Sequence, residues 1–382
     1  MSPVTQRRRT RGARPSSTEA PASLPLKSRL AERVREALRA EIRQGHWRGE
    51  LPPERRLAQE FEVSRPTLHM ALRALQKEGV VQTSPRHPWR VAHQAPHGTV
   101  TAARRPEVML LRYTRVKPDL ADLSLVTEPL RQKMHQLGYA LKIMDPFARG
   151  LKNMDRILSA FDREHRPAFY VLLSVPPQAH RWFVQRGIPA AVSGSREPDV
   201  PLPALDMDNE VVMRHATQYL LRRGHRRIAF FNVPIVAGGA AVQEKVFRDT
   251  CAAWPTGDVE ARLITSPVRP VAVADAVRRA FLRRGRPTAL IASDAEQVLG
   301  VYSTLATLGL RIPRDVSVLV FGHCPFMDFL NPLPTCYRVS WDQWANRIAR
   351  VIRNYLRIGV LPTTFAKVMP TLREGKSVAT VT

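Results

Sequence analysis

The chain has 382 residues, enough for two or three domains with a sizeable core, and a formal net charge of +26. Residues 1–105 hold 21 Lys and Arg against 9 Asp and Glu, and the remainder holds 38 against 24. Positive charge is therefore densest at the start, a balance that favours a polyanionic partner and says nothing about fold. The three cysteines, Cys251, Cys324 and Cys336, form no zinc-spaced cluster, and so odd and sparse a set points to free thiols in a reducing cytosol. No apolar run reaches about 18 residues, and no apolar stretch follows QRRRTRGAR, so neither a membrane span nor a signal peptide is expected. The basic excess beyond residue 105 reads as arginine-rich usage.

Residues 1–24, rich in Arg, Pro, Ser and Ala, have almost nothing to bury and read as a disordered basic arm. A helix is predicted from Leu26 to Gln44, with Leu30, Val34, Leu38 and Ile42 on one face and Gly45 ending it. It should pack behind the next stretch, LPPERRLAQEFEVSRPTLHMALRALQKEGVV, Leu51 to Val81. That stretch reads as two helices around a tight turn at Glu62-Val63. The first starts at Pro52 or Pro53 and buries Leu57, Ala58 and Phe61. The second is capped by Ser64, takes Pro66 into its first turn, and ends at Gly79. Leu68, Ala71, Leu72 and Leu75 recur at i, i+3, i+4 and i+7 and must face a core. Arg65, His69, Arg73 and Gln76 line the opposite side. This is helix-turn-helix geometry, in which the second helix can enter a major groove and an arginine can bind guanine in a bidentate way. An ordinary helical hairpin with a solvated basic face has the same pattern. Short strands at 80–83 and 89–91 flank a turn, and residues 92–106 mix Pro, Gly, Ala and charge as a linker.

The wording of 26–91 closely resembles the winged-helix domain of GntR-type bacterial transcription regulators, whose typical text is LPSER-x-LA, then VSR-x-TVR-x-AL, then EGL. The resemblance places Arg55, Ser64, Arg65 and Thr67 in DNA-contacting positions. His69 stands where the family carries a second recognition arginine. The wing, usually glycine-rich and ending GTFV, is SPRHPWRV here, Ser84 to Val91, a stiffer and bulkier turn. Arg73 on the exposed helix face, and Arg86 and His87 in the wing, complete the expected DNA-binding set.

From Glu107 the rhythm changes to alternating strands and helices. Strands are predicted at 108–111, 140–144, 169–173, 188–192, 228–233, 289–292 and 316–321. Helices are predicted at 123–137, 154–161, around Trp182, at 209–223, 236–252, 271–284, 295–308 and 341–356. Continuous apolar strands between helices imply parallel sheets covered on both faces, with ligands at the carboxyl ends of the strands. Trp182, Trp341 and Trp344 fall at helical spacings and read as core.

Several words here resemble the effector domain of LacI-type regulators, itself similar to periplasmic sugar-binding proteins. They are Asp208-Asn209 with the following LLRRGHRRIA, the word PTALIASD ending at Asp294, and GLRIPRDVSV from Gly309. A GntR-type head on such a body resembles the arabinose-repressor arrangement. The resemblance implies a small α+β winged helix-turn-helix domain, 25–92, a linker, 93–106, and a two-lobed α/β domain with parallel sheets, 107–378. It also implies an effector site that includes Asp208 and Asp294; Tyr113 and Arg115 are further candidate pocket residues by their place after the first strand. Two family features are missing. Gly322-His323-Cys324 replaces a ligand-facing aspartate, and the sugar-gripping arginine aligns with Gln243 or Lys245. A site that holds each hydroxyl by a fixed polar group loses discrimination when two are gone, which implies a different ligand or a decayed site.

Asp206 and Asp208 stand two apart but lack a third metal ligand, Gly194-Ser195 lacks the G-x-S-x-G elbow, and no phosphate-cradling glycine motif is present. No enzyme, metal or cofactor is expected. The expected partners are a double-stranded DNA operator, a small effector of the sugar class, and a second copy of the chain. A sugar-binding protein or carbohydrate enzyme with a DNA-binding head, and a regulator with no small ligand, are the competing readings.

Overall fold

The computed structural model describes residues 26–47, 49–84, 88–92, 105–113, 124–148, 150–234, 238–362 and 365–381. The chain divides into two compact units, Met1–Thr99 and Val100–Thr382.

In the first unit, helix α1 (Leu26–Arg43) lies behind α2 (Glu54–Phe61) and α3 (Arg65–Lys77). Val34, Leu38, Ile42, Leu57, Phe61, Leu68, Leu72 and Leu75 are all at most 1% exposed, so the apolar stripes of three helices close one core. Helix α2 starts later than predicted. Pro52 precedes a proline and is biased away from helical geometry, and Pro53 is itself extended (φ −53°, ψ 144°) as the cap. Glu62 makes the turn in the left-handed region at φ 53°. Arg35 and Arg39 of α1 both reach Glu78 at the end of α3. Strands β1 (Val81–Gln82) and β2 (Arg90–Val91) pair antiparallel, and Glu50 bridges to Arg90.

The second unit has two lobes, each built on a six-stranded sheet. In lobe 1 the order is β13-β7-β6-β5-β3-β4, from β3 (Glu107–Arg112), β4 (Ala140–Met144), β5 (Phe169–Leu173), β6 (Ala190–Ser193), β7 (Ala204–Met207) and β13 (Phe365–Val368), all parallel. Helices α4 (Ser124–Gln136) and α11 (Trp341–Ile358) cover one face, and α5 (Met154–His165) and α6 (Pro177–Gln185) the other. In lobe 2 the order is β14-β12-β11-β10-β8-β9, from β8 (Arg227–Asn232), β9 (Glu260–Thr265), β10 (Ala289–Ala292), β11 (Ser317–Val320), β12 (Thr335–Arg338) and β14 (Thr371–Arg373). Only β14 runs antiparallel. Helices α7 (Asn209–Arg222) and α8 (Gly238–Ala252) pack on one face, and α9 (Pro270–Phe281) and α10 (Gln297–Thr307) on the other.

The chain crosses between lobes at 207–209, 338–341 and 368–371. The first and third crossings touch: Asp208 N–H donates to Val368 O at 3.1 Å, and Lys367 Nζ lies 3.1 Å from Asp208 Oδ1. Trp182 and Trp344 are core residues as expected; Trp344 Nε1 donates to Ser193 Oγ at 2.9 Å. Five strands, β7, β9, β12, β13 and β14, were not anticipated from the sequence. Among the described residues, no helix is long and apolar enough to cross a membrane.

Candidate DNA-binding face and interlobe cleft

Helix α3 presents two different faces because its apolar residues repeat at helical spacing. Leu68, Ala71, Leu72 and Leu75 are buried, whereas Arg65 and Arg73 are exposed and His69 and Gln76 half-buried. Ser64 Oγ accepts from Thr67 N at 3.3 Å and lies 2.7 Å from Thr67 Oγ1. Thr67 is therefore a buried member of the cap, 4% exposed, and not the free DNA-contacting side chain expected. Arg55 is exposed on α2. Arg86 and His87 lie outside the described residues.

Glu54 is the hub of this face. Its Oε1 accepts from Trp89 Nε1 at 2.8 Å and lies 3.0 Å from His69 Nδ1. Burial pushes the Glu54 carboxyl up, but the bonds from Trp89 and His69 and the nearby charge of Arg65 outweigh it and hold it below the usual value. His69 Nε2 in turn accepts from Arg73 Nε at 3.3 Å, and Arg73 Nη1 donates to Gln76 Oε1 at 3.0 Å. The Arg73 guanidinium carbon stands 5.9 Å from the Trp89 ring centre. Both nitrogens of His69 thus have partners within the head. One of them is the guanidinium of Arg73, one helical turn further along α3. Trp89, read as wing bulk, is instead a buried anchor that fixes the base of the wing to both helices. Trp89→Phe keeps an aromatic ring, though a smaller one, and removes one donor from Glu54. The head should lose about 1–2 kcal/mol of stability, seen as a lower unfolding midpoint, because the missing donor served a carboxylate. An unchanged midpoint would show that the Trp89–Glu54 bond contributes nothing.

The segments that follow β6, β7 and β8 meet between the lobes, beyond the carboxyl ends of those strands, where open α/β sheets bind ligands. Asp206 on β7 collects donors from both lobes. Ser195 Oγ donates to its Oδ2, Asn209 Nδ2 to the same oxygen at 3.1 Å, and Met207 N–H to Oδ1 at 2.8 Å. Gln243 Nε2 on α8 donates to Asn209 Oδ1 at 2.7 Å. Gly239 allows the close approach, since a Cβ there would fall 2.5 Å from Ser195 Oγ and 3.0 Å from Asn209 Nδ2. Burial raises the Asp206 carboxyl above its ordinary value, against the bonds from Ser195, Met207 and Asn209 and the Lys367 charge. Asp206, Ser195 and Asn209 were not among the expected site residues. Their signal was limited to the DMDN word.

The remaining expected residues scatter. Gln243 joins the interlobe network. Lys245 is 77% exposed and paired with Asp249 at one helical turn, which removes it from the cleft. Two positions along a helix is about 200° of rotation, so Gln243 and Lys245 could never share a face. Asp208 caps α7 through Val211 N–H at 3.3 Å and binds Lys367, a hinge role. Asp294 is buried and its Oδ1 accepts from Glu296 N–H at 3.0 Å, turning the chain three residues before α10 begins at Gln297, where Glu296 holds the cap position. His323 Nε2 lies 3.1 Å from Asp328 Oδ1 and 3.2 Å from Arg373 Nη1, so that nitrogen serves a lobe 2 ion cluster. Tyr113 packs edge-on to Phe147 at 6.2 Å against the lobe 1 core. Arg115 lies outside the described residues. Among the described residues, no cluster of His, Cys, Asp or Glu could hold a metal ion.

Comparison with known proteins gives the same division. Residues 30–91 match the family described as bacterial regulatory proteins, gntR family, and residues 217–378 match the periplasmic binding protein-like domain. The chain is 23% identical over 176 residues to the HTH-type transcriptional regulator KdgR of Bacillus subtilis, covering 45% of this chain and 52% of that protein. It is 24% identical over 162 residues to the ribose operon repressor of Escherichia coli, covering 42% and 49%. The chain thus spans about half the length of these curated relatives. The crystal structure of the lac repressor dimer bound to operator and an anti-inducer superposes with a TM-score of 0.62 at 15% identity, over 73% of this chain and 96% of that one. The chain carries a gntR-type helix-turn-helix head followed by a two-lobed periplasmic binding protein-like domain.

Proposed function

We propose that this chain is a sequence-specific DNA-binding transcription regulator, a repressor by its resemblances, whose affinity for its operator responds to a small polar ligand of the sugar class held between the lobes. The observation that carries this reading is α3: one side sealed into a core, the other offering Arg65 and Arg73 from a Ser64-capped N-terminus. Free N–H groups and partial positive charge at that end suit a phosphate, and the arginines suit base edges. Arg55 supports the approach from α2. Two copies, acting as a homodimer in the cytoplasm, would read a pseudo-palindrome. The proposed boundaries are 25–92 for the head and 107–378 for the body.

Asp206 supports the sensing half. Its carboxylate is held by hydroxyl and amide donors from both lobes, groups that a polyol's hydroxyls can replace one for one. A ligand that exchanges these bonds would bias how the lobes close, a coupling worth typically 1–3 kcal/mol. Because those acceptors are already satisfied within the chain, a regulator that needs no small ligand is the second reading.

The test takes the full chain and DNA from upstream of its own coding sequence. Specific retardation in the presence of excess unrelated duplex is expected, and equal binding to both DNAs would overturn the reading. A panel of sugars and sugar acids should then raise the melting temperature for one member and change operator binding by about 5–150-fold. Turnover of that sugar, without retardation of DNA, would favour an enzyme instead.

A further inference from the structure

The amino ends of the lobe 2 strands carry arginines that neither α3 nor the cleft uses. Arg227 opens β8, Arg283, Arg284 and Arg286 lie between α9 and β10, and Arg311 and Arg314 precede β11. The sheet brings them to one edge. Thr288 N–H donates to Arg227 O at 2.8 Å, Ser317 N–H to Thr288 O at 2.9 Å, and Arg227 Nε to Arg286 O at 3.0 Å. Asp315 is held below the usual carboxylate range first by the Arg311 backbone N–H, with Arg311, Arg314 and Arg286 all adding their charge. Five of the six arginines are exposed and Arg286 is half-buried.

Local negative charge does not balance this set. Glu260 and Asp258 are taken by Arg262 and Arg226, which leaves Asp315, 3.8 Å from Arg311. Among the described residues, no carboxylate pairs with Arg283, Arg284 or Arg314. Helices α7, α9 and α10 run antiparallel to the strands and end at this edge, where their dipoles contribute about −1.5 charges together. One arginine per helix would serve that need. The surplus repels itself until an external polyanion arrives.

We propose that this edge of lobe 2 is a second DNA-contacting surface, which holds the phosphate backbone of duplex DNA without regard to sequence. The choice of DNA rests on the functional reading of the head, which brings the chain to a duplex. A lipid surface fits less well: Leu282 is exposed beside the arginines, but an anchoring face needs several such side chains.

The experiment titrates the full chain against a duplex of unrelated sequence, by fluorescence anisotropy, between about 50 and 200 mM salt. The variant Arg283→Ala, Arg284→Ala, Arg311→Ala, Arg314→Ala is compared with the natural chain, with circular dichroism as the folding check. The slope of log K against log salt should fall by about 0.9 for each phosphate that the variant no longer neutralises, a total of about 2–4. Lysine at the same four positions should restore most of the slope, because a phosphate accepts a point charge as well as a fork. An unchanged slope in the folded alanine variant overturns the proposal. Loss of binding to anionic phosphatidylserine vesicles with the DNA slope intact also overturns it, in favour of a membrane. If the chain shows no preferred sequence yet the slope still falls, the functional reading of the head is lost and this surface stands.

Discussion

Arg65→Ala should weaken binding to the preferred duplex by about 1–3 kcal/mol, or roughly 5–150-fold, the worth of one bidentate guanine contact. Arg65 is the first residue of α3, exposed, and the Ser64 cap does not depend on its side chain. The fold should therefore survive the substitution, and a melting curve of the head checks it. Arg65, His69 and Arg73 recur at i, i+4 and i+8 of α3, so Arg65 lies on the same side of the head as the Trp89–Glu54–His69–Arg73 chain. The control separates base reading from phosphate holding. A phosphate contact would weaken all sequences alike and lower the salt slope by about 0.9. A base contact relaxes the preference at one position only. Arg65→Lys keeps the charge and loses the fork, so it should resemble alanine in specificity and the natural residue in salt dependence. Uniform weakening across sequences would take Arg65 out of base readout and leave Arg73, bonded to His69 and Gln76, as the reader.

The head and the alternation of the body were legible because period and punctuation are local. Each apolar position of α3 picked out from spacing is buried, and the strands at 140–144, 169–173 and 289–292 have the bounds expected of them. The missed strands are short or peripheral. β9 is an edge strand with charged Glu260 and Arg262, and β13 and β14 close opposite sheets with four and three residues. Such strands show no continuous apolar run to find. Site residues fared worse because their partners are distant in sequence. Glu54 meets Trp89 across 35 positions, and Asn209 meets Gln243 across 34. Neither pairing leaves a periodic trace. Carrying Lys245 over from a family resemblance failed for a simpler reason: two positions from Gln243 is the far side of the helix.

His180 should make the two-lobed body lose stability as the pH falls from neutral to mildly acid. It lies in α6, 1% exposed, with no partner for either ring nitrogen among the described residues. Burial, with the charges of Arg181 and Arg196 added, pushes its pKa down to about 4 from the ordinary 6.5. The unfolded chain titrates at the ordinary value, so between those two values it binds a proton that the native state refuses. Stability rises with pH wherever the unfolded state binds more protons. The His180 contribution is thus constant above about pH 6.5 and is lost progressively down to about pH 4, by roughly 2 kcal/mol between pH 7.5 and pH 5.0. His225, also pushed down by burial despite its bond to Ala379 O, acts in the same direction, while Asp206, raised by burial, acts in the opposite one. A single variant isolates the His180 share. His180→Leu fills a similar space with no titratable group. Urea unfolding at the two pH values should show a fall about 2 kcal/mol smaller in the variant than in the natural chain. Equal falls in both proteins would mean that the ring is reached by water or by a proton acceptor in the native state, and the buried neutral histidine would have to be abandoned.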